Sequence, residues 1–288
     1  MQVHRLSSYQ LNKNLWDSFI QQSSEGMLYA MHDFLSGTAG NWEAYVFEEG
    51  DEWQMVFPFK KSQKLILTYF LQPKFTQFLG PVFRKYPGKK ARELQWKNKI
   101  LQILCDRLKN DFWYVNFNLS PDFDYGLPFN WKKFRVSPRY TYRIELASQS
   151  LEELEKGILK GKVNIGKATN NGYAFNKTEK PHDLINAFSK IKGKDVGNLS
   201  TSDYKSYANF LGQFIAQNFC EVWELLSPNG ELAGGMILYM YKGVMTYAFS
   251  MSDPLHSSNS VGHALIWKAI TVAKDKGMRI FDFEGSMI

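Results

Sequence analysis

Four groups of residues in this sequence have types and spacings that could do chemistry. Asn259-Ser260-Val261-Gly262-His263-Ala264 stands between a β-rich run and an apolar helical run. A loop that opens a helix offers free backbone N–H groups and the positive end of the helix dipole, and so favours an anion. Asp282 and Glu284 lie two apart in a strand-like run. Period-two spacing puts both carboxylates on one face, where either could take a proton from an amine. The same pair would equally suit ion pairing with a nearby lysine or arginine. Tyr247, in another strand-like run, could donate its hydroxyl to an oxyanion or a thiolate, or could simply pack. Lys162 and Lys167, with Arg139 and Arg143, are candidates for holding a phosphate-bearing substrate, or for solvated faces.

Other chemistries lack their residues. The histidines (His4, His32, His182, His256, His263) and the cysteines Cys105 and Cys220 show no zinc-ligand spacing, and no metal is expected. There is no Gly-x-Ser-x-Gly nucleophile elbow, and His256 beside Ser257 and Ser258 does not make a triad. Gly161-Lys162-Val163-Asn164-Ile165-Gly166-Lys167-Ala168 nearly spells a P-loop. Ala168 stands where a magnesium-binding hydroxyl is needed, and the segment follows a helix rather than a strand, so nucleotide hydrolysis is not expected.

These groups must be positioned by a chain of 288 residues with 44% apolar and 22% charged content, ordinary for a globular protein and long enough for one large or two medium domains. Two cysteines cannot make a disulfide framework and point to a reducing, cytoplasmic compartment. The N-terminus has no signal-peptide core, and the apolar stretch 232–251 is broken by Gly234, Gly235 and Lys242, so no transmembrane segment is expected. The net charge of +7 favours anionic partners. Lys60, Lys61 and Lys64 gather at a turn, a usual place for solvated lysines.

Apolar spacing predicts helices over 11–21, 91–109, 151–160, 203–218 and 262–276, the last closed by Gly277. It predicts strands over 42–48, 53–59, 65–70, 112–119, 135–146, 220–226, 231–241, 244–251 and 279–283. Helix, three-strand antiparallel meander, loop, helix, strand thus occurs twice, offset by roughly 165–180 residues, a domain-sized repeat. The expected organisation is an α/β (α+β) chain of two tandem units, 1–145 and 146–288, each a mixed sheet with an antiparallel meander flanked by helices. A link rich in glycine and polar residues is expected around 190–201.

The repeated unit resembles the central part of the GNAT acyltransferase fold. That fold holds the pyrophosphate of its donor on a Gln/Arg-x-x-Gly-x-Gly/Ala loop, and Asn259 to Ala264 matches its glycine and its small residue. Three further stretches resemble the Fem family of tandem-GNAT aminoacyl transferases, which build peptidoglycan cross-bridges. They are Gln72-Pro73-Lys74-Phe75-Thr76-Gln77-Phe78-Leu79-Gly80, the basic segment Lys162 to Ala168 with Gly172, and the closing run Gly277 to Gly285.

The resemblance implies an N-acyltransferase or aminoacyltransferase. Its donor, acyl-CoA or aminoacyl-tRNA, would lie on Asn259, Ser260, Val261, Gly262, His263 and Ala264 of the second unit. Tyr247, Asp282 and Glu284 would be catalytic, and Lys162, Lys167, Arg139 and Arg143 would bind substrate. The partners implied are an anionic small molecule or cell-wall precursor as acceptor, and tRNA. The first unit would be scaffold and acceptor platform, because 71–88 lacks the phosphate-loop pattern. Asn259 replaces the usual first loop residue, and Asn164 and Gly166 stand where basic residues would fit. The sequence ends at Ile288, just after the closing run, where a full unit adds a helix and strands, so a truncated second unit is expected. A reading of another class is a non-catalytic basic module that binds RNA or another polyanion.

Overall fold

The computed structural model describes residues 1–123, 125–157, 162–192 and 199–285. Contacts divide the chain into two units, Met1–Pro138 and Arg139–Ile288. The division falls ahead of the expected 145/146 because strand pairing, not chain order, assigns the run 141–145: it lies along the last strand of the second sheet.

The first unit runs β1 (Gln2–Ser7), α1 (Lys13–Gln22), α2 (His32–Ala39), β2 (Glu43–Glu49), β3 (Glu52–Phe59), β4 (Lys61–Lys64), β5 (Leu67–Leu71), β6 (Val82–Phe83), α3 (Lys90–Asp111), β7 (Tyr114–Asn116) and α4 (Leu127–Trp131). The expected three-strand meander is split between two sheets. β1, β2, β3 and β6 form an antiparallel sheet, while β4, β5 and β7 form a second one in which β5 and β7 are parallel. The short strand β4 starts one residue after β3 and folds back on β5, so β5 takes β4 as partner and not β3. Phenylalanines join what the ladder does not: Phe70 of β5 meets Phe57 and Phe59 of β3 at ring-centroid distances of 5.6 and 6.0 Å. All three rings are fully buried, as are Trp16, Trp42 and Phe83, which is where the high aromatic content goes.

The second unit runs β8 (Thr141–Glu145), α5 (Leu151–Gly157), α6 (Lys162–Ile165), α7 (Lys167–Asn170), β9 (Ala174–Thr178), α8 (His182–Ile191), α9 (Thr201–Ala216), β10 (Cys220–Leu226), β11 (Leu232–Tyr241), β12 (Val244–Ser252), α10 (Val261–Asp275) and β13 (Ile280–Gly285). One six-stranded sheet carries it, in the order β8-β13-β12-β11-β10-β9. All pairs are antiparallel except β12 with β13, which are parallel. The β11–β12 hairpin turns on Lys242 and Gly243, both at positive φ (50° and 76°), as a two-residue hairpin requires. Gly277, at φ 66°, ends α10: its N–H and that of Met278 return to the carbonyls of Lys274 and Ala273. Strand β9 and helix α8 were not legible in the sequence. Six of the residues of the expected link, 193–198, lie outside the described residues.

Two adjacent glycines bring helices onto both faces of this sheet. A Cβ on Gly234 would fall 2.6 Å from Val261 and 3.1 Å from Leu265 of α10; one on Gly235 would fall 2.5 Å from Leu184 of α8. Successive strand residues face opposite ways, so α10 lies on one face and α8 on the other. Glycine inside a strand marks such a close approach.

Candidate functional site

The only parallel pair of the second sheet among the described residues comes apart. β12 and β13 are paired through Val244–Ile280, Met245–Phe281 and Thr246–Asp282, and no further. Beyond that point β12 stays with β11 and β13 stays with β8. A gap therefore opens at the carboxyl ends of two parallel strands, the edge of an α/β sheet where ligands are usually received. Both strands are irregular there. Ile237 opposes Phe249 and Leu238 opposes Tyr247, so Ala248 is an extra residue whose peptide is left out of the ladder. On β13, Phe283 and Glu284 together oppose the single residue Tyr142 of β8.

Tyr247 is the first β12 residue past the last paired position. Its ring meets Phe281 and Phe283 of β13 at 6.2 and 6.4 Å. Burial pushes its phenol up to about 12, against the opposing effect of a hydrogen bond with Ser250. The hydroxyl stays protonated at neutral pH and is available as a donor.

The two carboxylates do not share one regular face, because the β13 bulge lies between them. Asp282 is 3% exposed. Its carboxylate accepts from Arg143 Nε at 2.7 Å, from Thr141 Oγ1 at 2.6 Å and from the backbone N–H of Glu284 at 2.8 Å. Two of the expected site residues, Asp282 and Arg143, thus neutralise each other and tie β13 to β8. Removing one partner of such a pair leaves a buried charge uncompensated. Arg143→Met is expected to lower stability by about 2 kcal/mol, the partial exposure of Arg143 keeping the loss below that of a fully buried pair; urea unfolding would measure it.

Glu284 is different in kind. It sits on the bulge at φ 63°, in the left-handed region that a residue with a side chain enters at a cost. Its own carbonyl lies 2.5 Å from Thr141 Oγ1, which shares its single proton between this oxygen and the carboxylate of Asp282. Burial alone pushes its carboxyl up to about 8. A carboxyl that titrates near neutrality, on the strand that borders the gap, suits general acid–base chemistry.

The six-residue loop follows β12 by way of a short turn. A 3-10 turn over Pro254–Asn259 leads to Ser260, at φ 55° and ψ 37°, and α10 begins at Val261 with no side chain capping its first turn. Val261 and Ala264 are buried in the core and anchor the helix, so they face the sheet rather than a ligand. Gly262 faces open space: a Cβ there would meet nothing within 4 Å. His263 is exposed. Asn259 is held on both sides, its Nδ2 donating to Tyr173 Oη at 2.9 Å and its Oδ1 accepting from Asn171 Nδ2 at 2.8 Å. Tyr173 Oη in turn lies 2.8 Å from His256 Nδ1. Ser260 Oγ reaches Asn164 Oδ1 at 3.4 Å.

The fold thereby brings together two sequence segments picked out separately, the loop 259–264 and the segment 162–173. Helices α6 and α7 pack on α10, and Ala168, the residue that spoils the P-loop pattern, is fully buried in the shared core. Lys167 is exposed at the start of α7. The side chain of Lys162 lies outside the described residues. Arg139 is exposed just ahead of β8. The roles of Tyr173, Asn171 and His256 escaped the sequence reading, because nothing in their spacing links three residues 83 or more positions from their partners. The Gly234-Gly235 pair was the one available signal that a helix presses on this sheet. Among the described residues no group of His, Cys, Asp and Glu could hold a metal ion.

Comparison with known proteins agrees with this geometry. Residues 182–286 match the family model for the acetyltransferase (GNAT) domain. No curated protein matches the sequence. The fold is similar to that of FemX (TM-score 0.68, 13% identity, covering 99% of this chain and 89% of that one). It is also similar to L-PGS from Bacillus licheniformis (TM-score 0.56, 12% identity, 96% and 77%). A third similar structure is a tandem GNAT protein from the clavulanic acid biosynthesis pathway (TM-score 0.57, 11% identity, 98% and 89%). A sheet parted beside a helix N-terminus, the match to the GNAT domain over 182–286 and the whole-chain likeness to FemX and to a tandem GNAT protein agree on the fold: this chain folds as tandem GNAT proteins do.

Proposed function

We propose that the second unit transfers an acyl or aminoacyl group from acyl-CoA or aminoacyl-tRNA to an amine. The observation that carries this reading is the parting of β12 and β13 beside Tyr247 and Glu284, with the open first turn of α10 following from the same strand. The first turn of α10 would hold phosphate of the donor. The acceptor amine attacks the acyl carbon; the C–N bond forms and the C–S or C–O bond of the donor breaks. Glu284, ionised, receives the proton of the amine. Tyr247 supplies a proton to the leaving thiolate or alkoxide. The N–H groups around the Ala248 bulge are suited to stabilise the oxyanion.

Direct transfer fits the cysteines, since burial pushes both thiols well above their ordinary value and leaves neither as a nucleophile. The acceptor is an anionic molecule such as a cell-wall precursor, met by Lys167 and Arg139. Asp282 and Arg143 act as positioning residues through β8.

Titration of acetyl-CoA, and separately of aminoacyl-tRNA, into the protein and its Gly262→Glu variant tests the donor site. One donor is expected to bind, and the variant to lose it by tenfold or more while melting as the parent does, because the new side chain enters open space. Heat from acetyl-CoA makes CoA the donor; tRNA binding with transfer makes it aminoacyl-tRNA. RNA binding that survives the substitution, with no transfer, would replace this reading by the polyanion-binding module. Absence of binding by either donor removes the function and leaves the fold.

A further inference from the structure

The tip of the β4–β5 hairpin breaks two rules at once. Lys64 pairs with Leu67, so Leu65 and Ile66 alone make the turn. Such a turn needs positive φ, normally given to Gly, Asn or Asp; here Leu65 takes it, at 55°. A turn is also where polar residues belong, yet Leu65 is 87% and Ile66 91% exposed. Single exposed apolar residues are ordinary. Two adjacent ones at a strained tip are not, and a third large one lies close. Trp113, 67% exposed, donates its backbone N–H to the carbonyl of Thr68, two residues from the turn, and leans on Tyr69 at 5.6 Å.

Charge surrounds this apolar point. Lys61 and Lys64 are exposed on β4. Trp113 also lines a cleft of about 660 Å3 whose charged lining residues, among those described, are Lys109, Lys133 and Arg135.

We propose that this hairpin docks the first unit on an anionic lipid bilayer: Leu65 and Ile66 enter the acyl boundary, Trp113 lies among the headgroups, and the lysines and the cleft face lipid phosphates. The dimensions agree. At about 3.3 Å per strand residue, Trp113 sits about 7 Å behind the tip, and interfacial elements enter about 5–10 Å. Tryptophan favours the headgroup level, and lysines near the surface are drawn to anionic leaflets. No helix among the described residues is long and apolar enough to cross a membrane, so the contact is peripheral. The inference does not depend on the acyl-transfer reading, since binding is measured without a donor.

Co-sedimentation of the full chain with vesicles of phosphatidylcholine alone, and of phosphatidylcholine mixed with phosphatidylglycerol, tests it. Binding to the mixed vesicles is expected, weakening with salt, and accompanied by a blue shift of emission that Trp113→Phe removes. Leu65→Gly/Ile66→Ser relaxes the turn, so it should melt no lower than the parent while binding vesicles at least about tenfold less. Lys61→Gln/Lys64→Gln should lose roughly tenfold on mixed vesicles. Failure of the parent to bind mixed vesicles at low salt overturns the proposal. So does a Leu65→Gly/Ile66→Ser variant that binds as the parent does, which would leave surface charge only. A change of oligomeric state in that variant, without vesicles, would make the tip a contact between protein copies and also overturn it.

Discussion

Glu284→Gln is expected to abolish acyl transfer, by about a hundredfold or more, and at the same time to stabilise the protein at alkaline pH. Both effects have one cause. The carboxyl of Glu284 titrates in the folded protein at about 8, because its site disfavours the charge. The unfolded chain ionises it at the ordinary glutamate value, about 4.3. Between these values the folded state binds a proton that the unfolded state has released, so stability falls as pH rises through this window. The contribution is fully present below the unfolded value and is lost above the folded one. Each unit of displacement corresponds to about 1.4 kcal/mol; the partial exposure of Glu284 reduces the whole to about 2–3 kcal/mol.

Glutamine carries no charge and escapes this loss, so the variant should be more stable than the parent at pH 9 by that amount and similar to it at pH 5. The parent's transfer rate should rise through a pH near 8 as the base ionises, and that limb should vanish in the variant. Urea unfolding at two pH values and a pH–rate profile measure both. A variant destabilised at every pH would mean that Glu284 holds the bulge rather than the chemistry.

Gly234→Ala is expected to destabilise the second unit by about 3 kcal/mol, at the upper end for overpacking by one methyl group. The new Cβ would stand 2.6 Å from Val261 and 2.9 Å from the backbone carbonyl of Met251. Val261 could move only by shifting the start of α10, and the carbonyl belongs to the paired strand β12. Donor binding should fall with stability, because the same displacement moves Gly262. Gly235→Ala presses instead on Leu184 of α8, on the other face, and on the carbonyl of Trp223. It should cost similar stability but spare donor affinity in the folded fraction. Equal loss of affinity in both variants would separate α10 placement from donor binding.

The second unit was the more legible half. Cys220–Leu226 is the strand expected over 220–226, and α10 runs from Val261 to a Gly277 stop, one residue from expectation. Those elements are coded locally, by two-residue and helical periodicity and by a glycine that must take positive φ. The first unit was less legible. Its third run, Leu67–Leu71, left the meander for another sheet because partner choice depends on which strands meet, and Phe57, Phe59 and Phe70 pack equally well without sharing a ladder.

By itself, the sequence determined the strands Cys220–Leu226, Leu232–Tyr241 and Val244–Ser252 and the loop Asn259 to Ala264 opening a helix, since each of these is written in neighbouring residues. Tertiary structure decided what those residues are worth. Only pairing with β8 turned Asp282 into the partner of Arg143, and only the bulge set Glu284 apart from it. Only the parting of β12 from β13 put Tyr247 just past the last paired position. A carboxylate's charge, a phenol's proton and the reach of a helix end depend on neighbours far along the chain, and burial, which sets all three, belongs to the folded molecule alone.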